Sequence, residues 1–135
     1  MNSLSKKVAI VSAAGRGIGR GIAISLAEAG ATVIVNSYSP DTTESTVEEI
    51  TTAGGTARAM SGDITNPDLM LAVTEATIKE FGQIDILVNN VGAGSKTAAA
   101  PPKHHLGNIE ALWTTLYHQN LLPVVLMTET VVPHM

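Results

Sequence analysis

The sequence contains no cysteine. That excludes a disulfide scaffold, a thiol nucleophile and a zinc–thiolate centre. Aromatic residues are almost absent: Tyr38, Phe81, Trp113 and Tyr117 are all of them. A core must therefore come from Ala, Val, Ile and Leu, and a hydrophobic content of 44% over 135 residues supplies enough for one folded domain. Charge is sparse, at 15%, and the net value of −4 gives no footing for nucleic acid or an anionic membrane as partner. Long apolar runs are missing too. The stretch 121–127 is broken by Pro123, whereas a membrane span needs about 20 residues. Lys6-Lys7 ahead of the apolar run 8–11 imitates a secretory leader, but the run is short and Arg16 and Arg20 follow at once. The expected compartment is the reducing cytosol.

What is present is an alternation. The run 8–11 reads as a strand buried on both faces. Residues 17–29 read as a helix with Ile18, Ile22 and Leu26 on its inner stripe, closed by Gly30. A second strand covers 32–36, and a polar helix covers 42–53 with Val47 and Ile50 inward. A weaker strand follows at 57–61. Asn66-Pro67 is a helix start, with Asn as N-cap and Pro at the first helical position. That helix runs to Phe81, with Leu69, Val73 and Ala76 inward, and stops at Gly82. A fourth strand covers 84–89, a small-residue loop covers 92–103, and a final helical pattern covers 108–132 around Leu112, Leu116 and Leu121. Pro123 kinks it or begins a new turn. Strands alternating with helices of this length imply right-handed βαβ units and a three-layer, doubly wound parallel sheet. Four strands are visible where a full dinucleotide-binding fold has about six.

The most informative segment is Ser12-Ala13-Ala14-Gly15-Arg16-Gly17-Ile18-Gly19, which leaves a buried strand and opens a helix. In that setting the free N–H groups of the helix N-terminus suit a pyrophosphate, and the glycines let backbone approach it.

Here the chain resembles the short-chain dehydrogenase/reductase family, whose turn reads Thr-Gly-x-x-x-Gly-x-Gly. Ser12 stands at the Thr, Ala13 at the first Gly, and Gly17 and Gly19 at the last two. Ala13 adds a methyl group, and Gly15 is expected to supply part of the lost backbone freedom. Gly62-Asp63-Ile64 resembles the family's pair after the third strand, where the carboxylate meets the adenine amino group. Asp85-Ile-Leu-Val-Asn-Asn-Val-Gly92 resembles its Asn-Asn-Ala-Gly motif, with Val91 in place of Ala. Asn120 matches the helix Asn of the family's Asn-Ser-Tyr-Lys tetrad. The resemblance covers nearly all of 5–135. It implies a Rossmann-type unit, incomplete relative to the family, ending after the fourth strand and the helix that follows.

By that resemblance the chain is the dinucleotide-binding half of an NAD(P)-dependent oxidoreductase acting between carbonyl and alcohol. The residues implied for the cofactor are Ala13, Gly15, Arg16, Gly17, Ile18, Gly19, Tyr38, Asp63, Ile64, Asn90 and Gly92. Asn120 is the one member of the catalytic tetrad present. No Tyr-x-x-x-Lys occurs, because Tyr38 and Tyr117 are followed four residues later by Thr42 and Leu121. The acid that protonates a reduced carbonyl is thus not among these residues, and the chain alone is expected to turn over no substrate. A non-catalytic nucleotide-binding module, or a fragment needing a complementary chain, is the rival reading. A small carbonyl or alcohol substrate would follow only with a completing half, and its identity is unreadable here. Homo-oligomers are expected.

Asp63 has a plainer reading as a turn cap, and Asn89 one as a brace. Adjacent His104-His105 point different ways and suit one metal poorly, so no metal site is read. Ser12 lacks the Gly-x-Ser-x-Gly elbow of a nucleophile. The second strand ends in Asn36-Ser37-Tyr38-Ser39, with no acid before Asp41. NAD binders usually place a carboxylate there for the ribose 2′-hydroxyl. With Arg16 in the glycine turn, NADP is favoured over NAD.

Overall fold

The computed structural model describes residues 3–92 and 109–135. Its β-branched runs form four parallel strands: β1 (Val8–Val11), β2 (Thr32–Val35), β3 (Thr56–Ala59) and β4 (Ile86–Val88). Their order is β3-β2-β1-β4, with Ile10 opposite both Ile34 and Leu87. The first two crossovers are α1 (Gly17–Glu28) and α2 (Pro40–Thr52), and α3 (Pro67–Phe81) leads to β4. Beyond β4 come α4 (Ile109–Leu116), one π-helical turn at Tyr117–Leu121, and α5 (Leu122–Val131). The loop read over 92–103 beyond Gly92, His104-His105 and the helix start at Asn108 lie outside the described residues.

Alternation along the strands divides the core into two layers. Val8, Ile10 and Ile34 pack with Ile64, Met70, Val73, Met127 and Val131, under α3 and α5. Val11, Val33 and Val35 pack with Ala23, Ala27 and Ile50, under α1 and α2. This is the three-layer, doubly wound arrangement. Asn66 caps α3 by accepting from the Asp68 N–H at 2.9 Å, with Pro67 at the first position, as the sequence predicts.

Several inner faces differ from the expected stripes. α1 buries Gly19, Ala23 and Ala27, while Ile18 is 77% exposed. Small residues let this helix lie close on the sheet, so the branched stripe slides to its flanks. α3 buries Met70, Val73, Thr74 and Thr77, leaving Ala76 exposed. The two threonines are tolerated because each hydroxyl donates to the carbonyl one turn back, at 2.8 Å to Met70 and 2.7 Å to Val73. Strands β3 and β4 are shorter than the expected 57–61 and 84–89. In the last helix Leu112 and Leu116 are half-buried; the outward face carries Ile109, Trp113, Tyr117, Leu121 and Val125.

Of the two expectations for Pro123 the structure bears out the new turn: Pro123 sits buried in the first turn of α5, which begins at Leu122. It has no N–H for the carbonyl of Gln119 one turn earlier. The chain absorbs this as the π turn, in which the Leu122 N–H reaches Tyr117 O.

Candidate functional site

Every strand delivers its carboxyl end to one edge, and the site grows from the turns there. After β1, the buried Ser12 hydroxyl donates to Val88 O at 3.2 Å and accepts from the N–H groups of Asn90 at 2.9 Å and Val91 at 3.2 Å. A side chain saturated in this way clamps the first turn to the last; it is no nucleophile. Asn90 adds a second tie, donating from Nδ2 to Ala13 O at 3.3 Å. A Cβ at Gly19 would collide with that carbonyl oxygen and with Asn90 Nδ2, so glycine is what lets α1 begin beneath them.

Ala13 takes φ 51°, the left-handed region that disfavours any side chain. Gly15 does not relieve it, contrary to expectation, because Gly15 is not among the residues of positive φ. Its glycine identity answers a different need: a Cβ would stand 2.5 Å from both Ser37 Oγ and Thr42 Oγ1. Gly17 has φ 55° with nothing within 4 Å of where a Cβ would be, so the turn opens there onto free space. Arg16 stands at the N-cap of α1, where no side chain caps the helix and the first turn holds no acid. The first N–H groups and the positive end of the helix dipole are therefore open.

After β2, buried Asn36 donates to Met60 O at 2.8 Å and Gly62 O at 3.3 Å, tying the ends of β2 and β3 together. Tyr38 projects outward, 79% exposed. After β3, Asp63 Oδ1 accepts from the Thr65 N–H at 2.9 Å and the Thr65 hydroxyl at 2.7 Å, so the carboxylate does cap its own turn. Oδ2 has no hydrogen bond among the described residues. Ile64 is buried in the core beside it.

These turns enclose a cavity of about 490 Å³. Ala13, Arg16, Asn36, Ser37 and Tyr38 form one wall. Gly62, Asp63, Ile64 and Thr65 form the second, and Val91, Gly92 and Gln119 the third. The π turn brings the third wall together. Asn120 Nδ2 donates to Leu116 O at 3.1 Å, and its Oδ1 abuts Gly92, where a Cβ would lie 2.8 Å from it. Gln119 Oε1 is shut off from solvent with no hydrogen-bond partner among the described residues. Leaving such an acceptor unmet costs roughly 1–3 kcal/mol. Asn89 points elsewhere, donating to Thr128 Oγ1 at 3.1 Å and bracing β4 on α5.

Of the residues singled out in the sequence, Ala13, Arg16, Tyr38, Asp63, Ile64 and Gly92 line the cavity. Gly15, Gly17, Gly19 and Asn90 shape the turn beneath it, and Asn120 supports Gly92 from behind. Ile18 is not on the wall; it lies on the exposed flank of α1. Asn36, Thr65 and Gln119 were missed. A polar residue ending a β-branched run could have flagged Asn36, whereas Gln119 has no signal apart from its neighbour Asn120.

The family model for short chain dehydrogenases matches residues 7–135, and the chain belongs to that family. An uncharacterized oxidoreductase of Methylorubrum extorquens is 35% identical over the whole of this chain, which covers 52% of that protein. The 7alpha-hydroxysteroid dehydrogenase of Escherichia coli K12 is 44% identical over 91 residues, 67% of this chain and 36% of its own length. A crystal structure of hydroxysteroid dehydrogenase from Escherichia coli superposes with TM-score 0.86 at 34% identity, covering 99% of this chain and 54% of its own. A 7 alpha-hydroxysteroid dehydrogenase complexed with NADH and 7-oxo glycochenodeoxycholic acid superposes with TM-score 0.85, also at 34% identity, over 99% of this chain and 50% of that one. The chain thus spans about half the length of the two solved structures.

Proposed function

We propose that this chain is the dinucleotide-binding half of an oxidoreductase that moves hydride between NADP and a carbonyl or alcohol carbon. The observation that carries the reading is the uncapped start of α1 beside a cavity with a guanidinium on one wall and a carboxylate next to buried Ile64 on another. Those features fit a dinucleotide. The N–H groups at Gly17 and beyond would hold the pyrophosphate, Asp63 and Ile64 the adenine, and Asn90 and Gly92 the turn beside the nicotinamide ribose. Bound there, the nicotinamide would supply the hydride; these residues hold and orient it. The proton for a reduced carbonyl would come from a tyrosine–lysine pair that these 135 residues do not contain.

NADP is favoured because β2 leads into Ser37 and Tyr38 rather than an acid, and Arg16 shares their wall. In the described residues Arg16 has no ion pair, whereas Arg20 is spent on Glu49. A well-formed charged contact contributes about 1.5–3 kcal/mol, so NADPH should bind at least tenfold tighter than NADH. Calorimetric titration of both cofactors into the chain and into Arg16→Ala tests this. The ratio should collapse in the variant; an unchanged ratio would remove Arg16 from the site, and tighter NADH binding would reverse the choice. The reducing cytosol remains the proposed compartment; among the described residues no helix is long and apolar enough to cross a membrane.

A further inference from the structure

We propose that Thr46, in the middle of α2, is a positioning residue for the glycine turn: through the Ala14 carbonyl it aims the Gly15 N–H at an acceptor oxygen of the bound dinucleotide. The inference rests on the dinucleotide reading above and extends it to a helix outside the motifs. Three observations carry it. Thr46 is fully buried, and its hydroxyl lies 3.2 Å from Ala14 O and 3.1 Å from Thr42 O. Ala14 is fully buried too, and its carbonyl has no other donor among the described residues. Gly15 is buried, and its N–H has no partner among the described residues.

A hydroxyl has one hydrogen to give. Thr42 O sits one turn back in α2, where the helix ladder already brings the Thr46 N–H. Ala14 O has only the hydroxyl, so the hydrogen stabilises most there. In a trans peptide the N–H points opposite the C=O. The preceding peptide obeys this: Ala13 O accepts from Asn90 Nδ2, and the Ala14 N–H donates the other way to Asn36 O at 2.7 Å. Holding Ala14 O under α2 therefore turns the Gly15 N–H away from α2, between the cavity-lining residues Ala13 and Arg16. Glycine makes the anchor necessary. A peptide that precedes a glycine turns over at little cost, because no Cβ resists the new φ. Turned over, it would present the Ala14 oxygen, in place of a donor, to the phosphate and ribose oxygens.

The test is calorimetric titration of NADPH and NADH into the 135-residue chain and into Thr46→Val, Thr46→Ser and Thr77→Val, each checked for folding by urea denaturation. Thr46→Val keeps the shape and removes the hydroxyl, whereas Thr46→Ser keeps the hydroxyl. Thr77 is a buried threonine of α3 whose hydroxyl donates to Val73 O, so Thr77→Val controls for the loss of a buried hydroxyl as such. Thr46→Val should bind dinucleotide about tenfold more weakly, with Thr46→Ser and Thr77→Val within about twofold of the parent. Parent-like affinity in Thr46→Val, an equal loss in Thr77→Val, or no rescue by serine would overturn the role of Thr46 while leaving the dinucleotide site standing. The Gly15 amide proton gives a second reading that does not depend on the valine variant folding. Its resonance should move downfield when dinucleotide is added to the parent and to Thr46→Ser; a resonance that stays in place would overturn the inference. Failure of the parent chain to bind either cofactor would overturn the dinucleotide reading, and this inference with it.

Discussion

The Ser12 hydroxyl accepts the backbone N–H of Asn90 at 2.9 Å, across 78 residues of sequence. One oxygen thereby holds the turn after β1 against the turn after β4, and the Asn90 side chain returns the contact to Ala13 O. The two motifs that stand far apart in the sequence are one hydrogen-bonded unit in the fold. The shape of the cavity wall depends on that unit, and so do the consequences of changing its glycines.

Gly17→Val should abolish dinucleotide binding. The variant forces a β-branched residue into φ 55° and fills space that is open within 4 Å. Titration with NADPH and NADH measures it, and parent-like affinity in a folded variant would displace the pyrophosphate from this turn.

Ala13→Gly should stabilise the fold. Releasing a side chain from φ 51° recovers roughly 1–2 kcal/mol, and the extra freedom of glycine in the unfolded chain takes back roughly 0.5–1. The net gain of about 0.5–1 kcal/mol should appear as a higher urea midpoint with an unchanged slope. A lower midpoint would mean that the methyl group is packed to advantage.

Asp85 fixes the amino-terminal end of the sheet. It pairs with Lys7 at 2.8 Å, accepts the Val8 N–H at 2.9 Å and accepts from Gln83 Nε2 at 2.7 Å. The Lys7 contact and then the Val8 N–H hold its carboxyl below the ordinary value of 3.8. A carboxyl lowered on folding contributes stability that is present above the unfolded pKa and lost as pH falls through the folded one. Asp85→Asn should therefore cost about 1 kcal/mol at pH 7, since Lys7 is half exposed, and progressively less below pH 3.8. Denaturation midpoints across pH 2–7 check this; a cost independent of pH would assign the loss to packing.

The chain should self-associate. Among the described residues β4 forms one edge of the sheet, paired only with β1. Ile109, Trp113, Tyr117, Leu121 and Val125 present an exposed apolar face every fourth residue along the last helices. Edges and patches of this kind drive association. Light scattering should give a mass above that of one chain, falling toward it in Trp113→Glu/Leu121→Glu. A monomer across a hundredfold concentration range would show that the face and the edge are covered within one chain.

The amino-acid sequence by itself determines the layering of this protein. Short β-branched runs separated by helical ones dictate parallel βαβ units, because a strand with apolar residues on both faces needs a helix layer on each side. The Asn66-Pro67 start and the glycine turn are local signals, decided by side-chain capping and by backbone sterics. Tertiary structure alone decides which face of each helix is buried. In α1 the closeness of Gly19, Ala23 and Ala27 to the sheet outweighs the hydrophobicity of Ile18. In α3 the back-bonded hydroxyls make Thr74 and Thr77 as good as apolar residues. The place of Gln119 is likewise hidden from the sequence. It depends on a π turn that Pro123 induces by withholding one N–H, and on the meeting of three turns that come together only when the sheet is assembled.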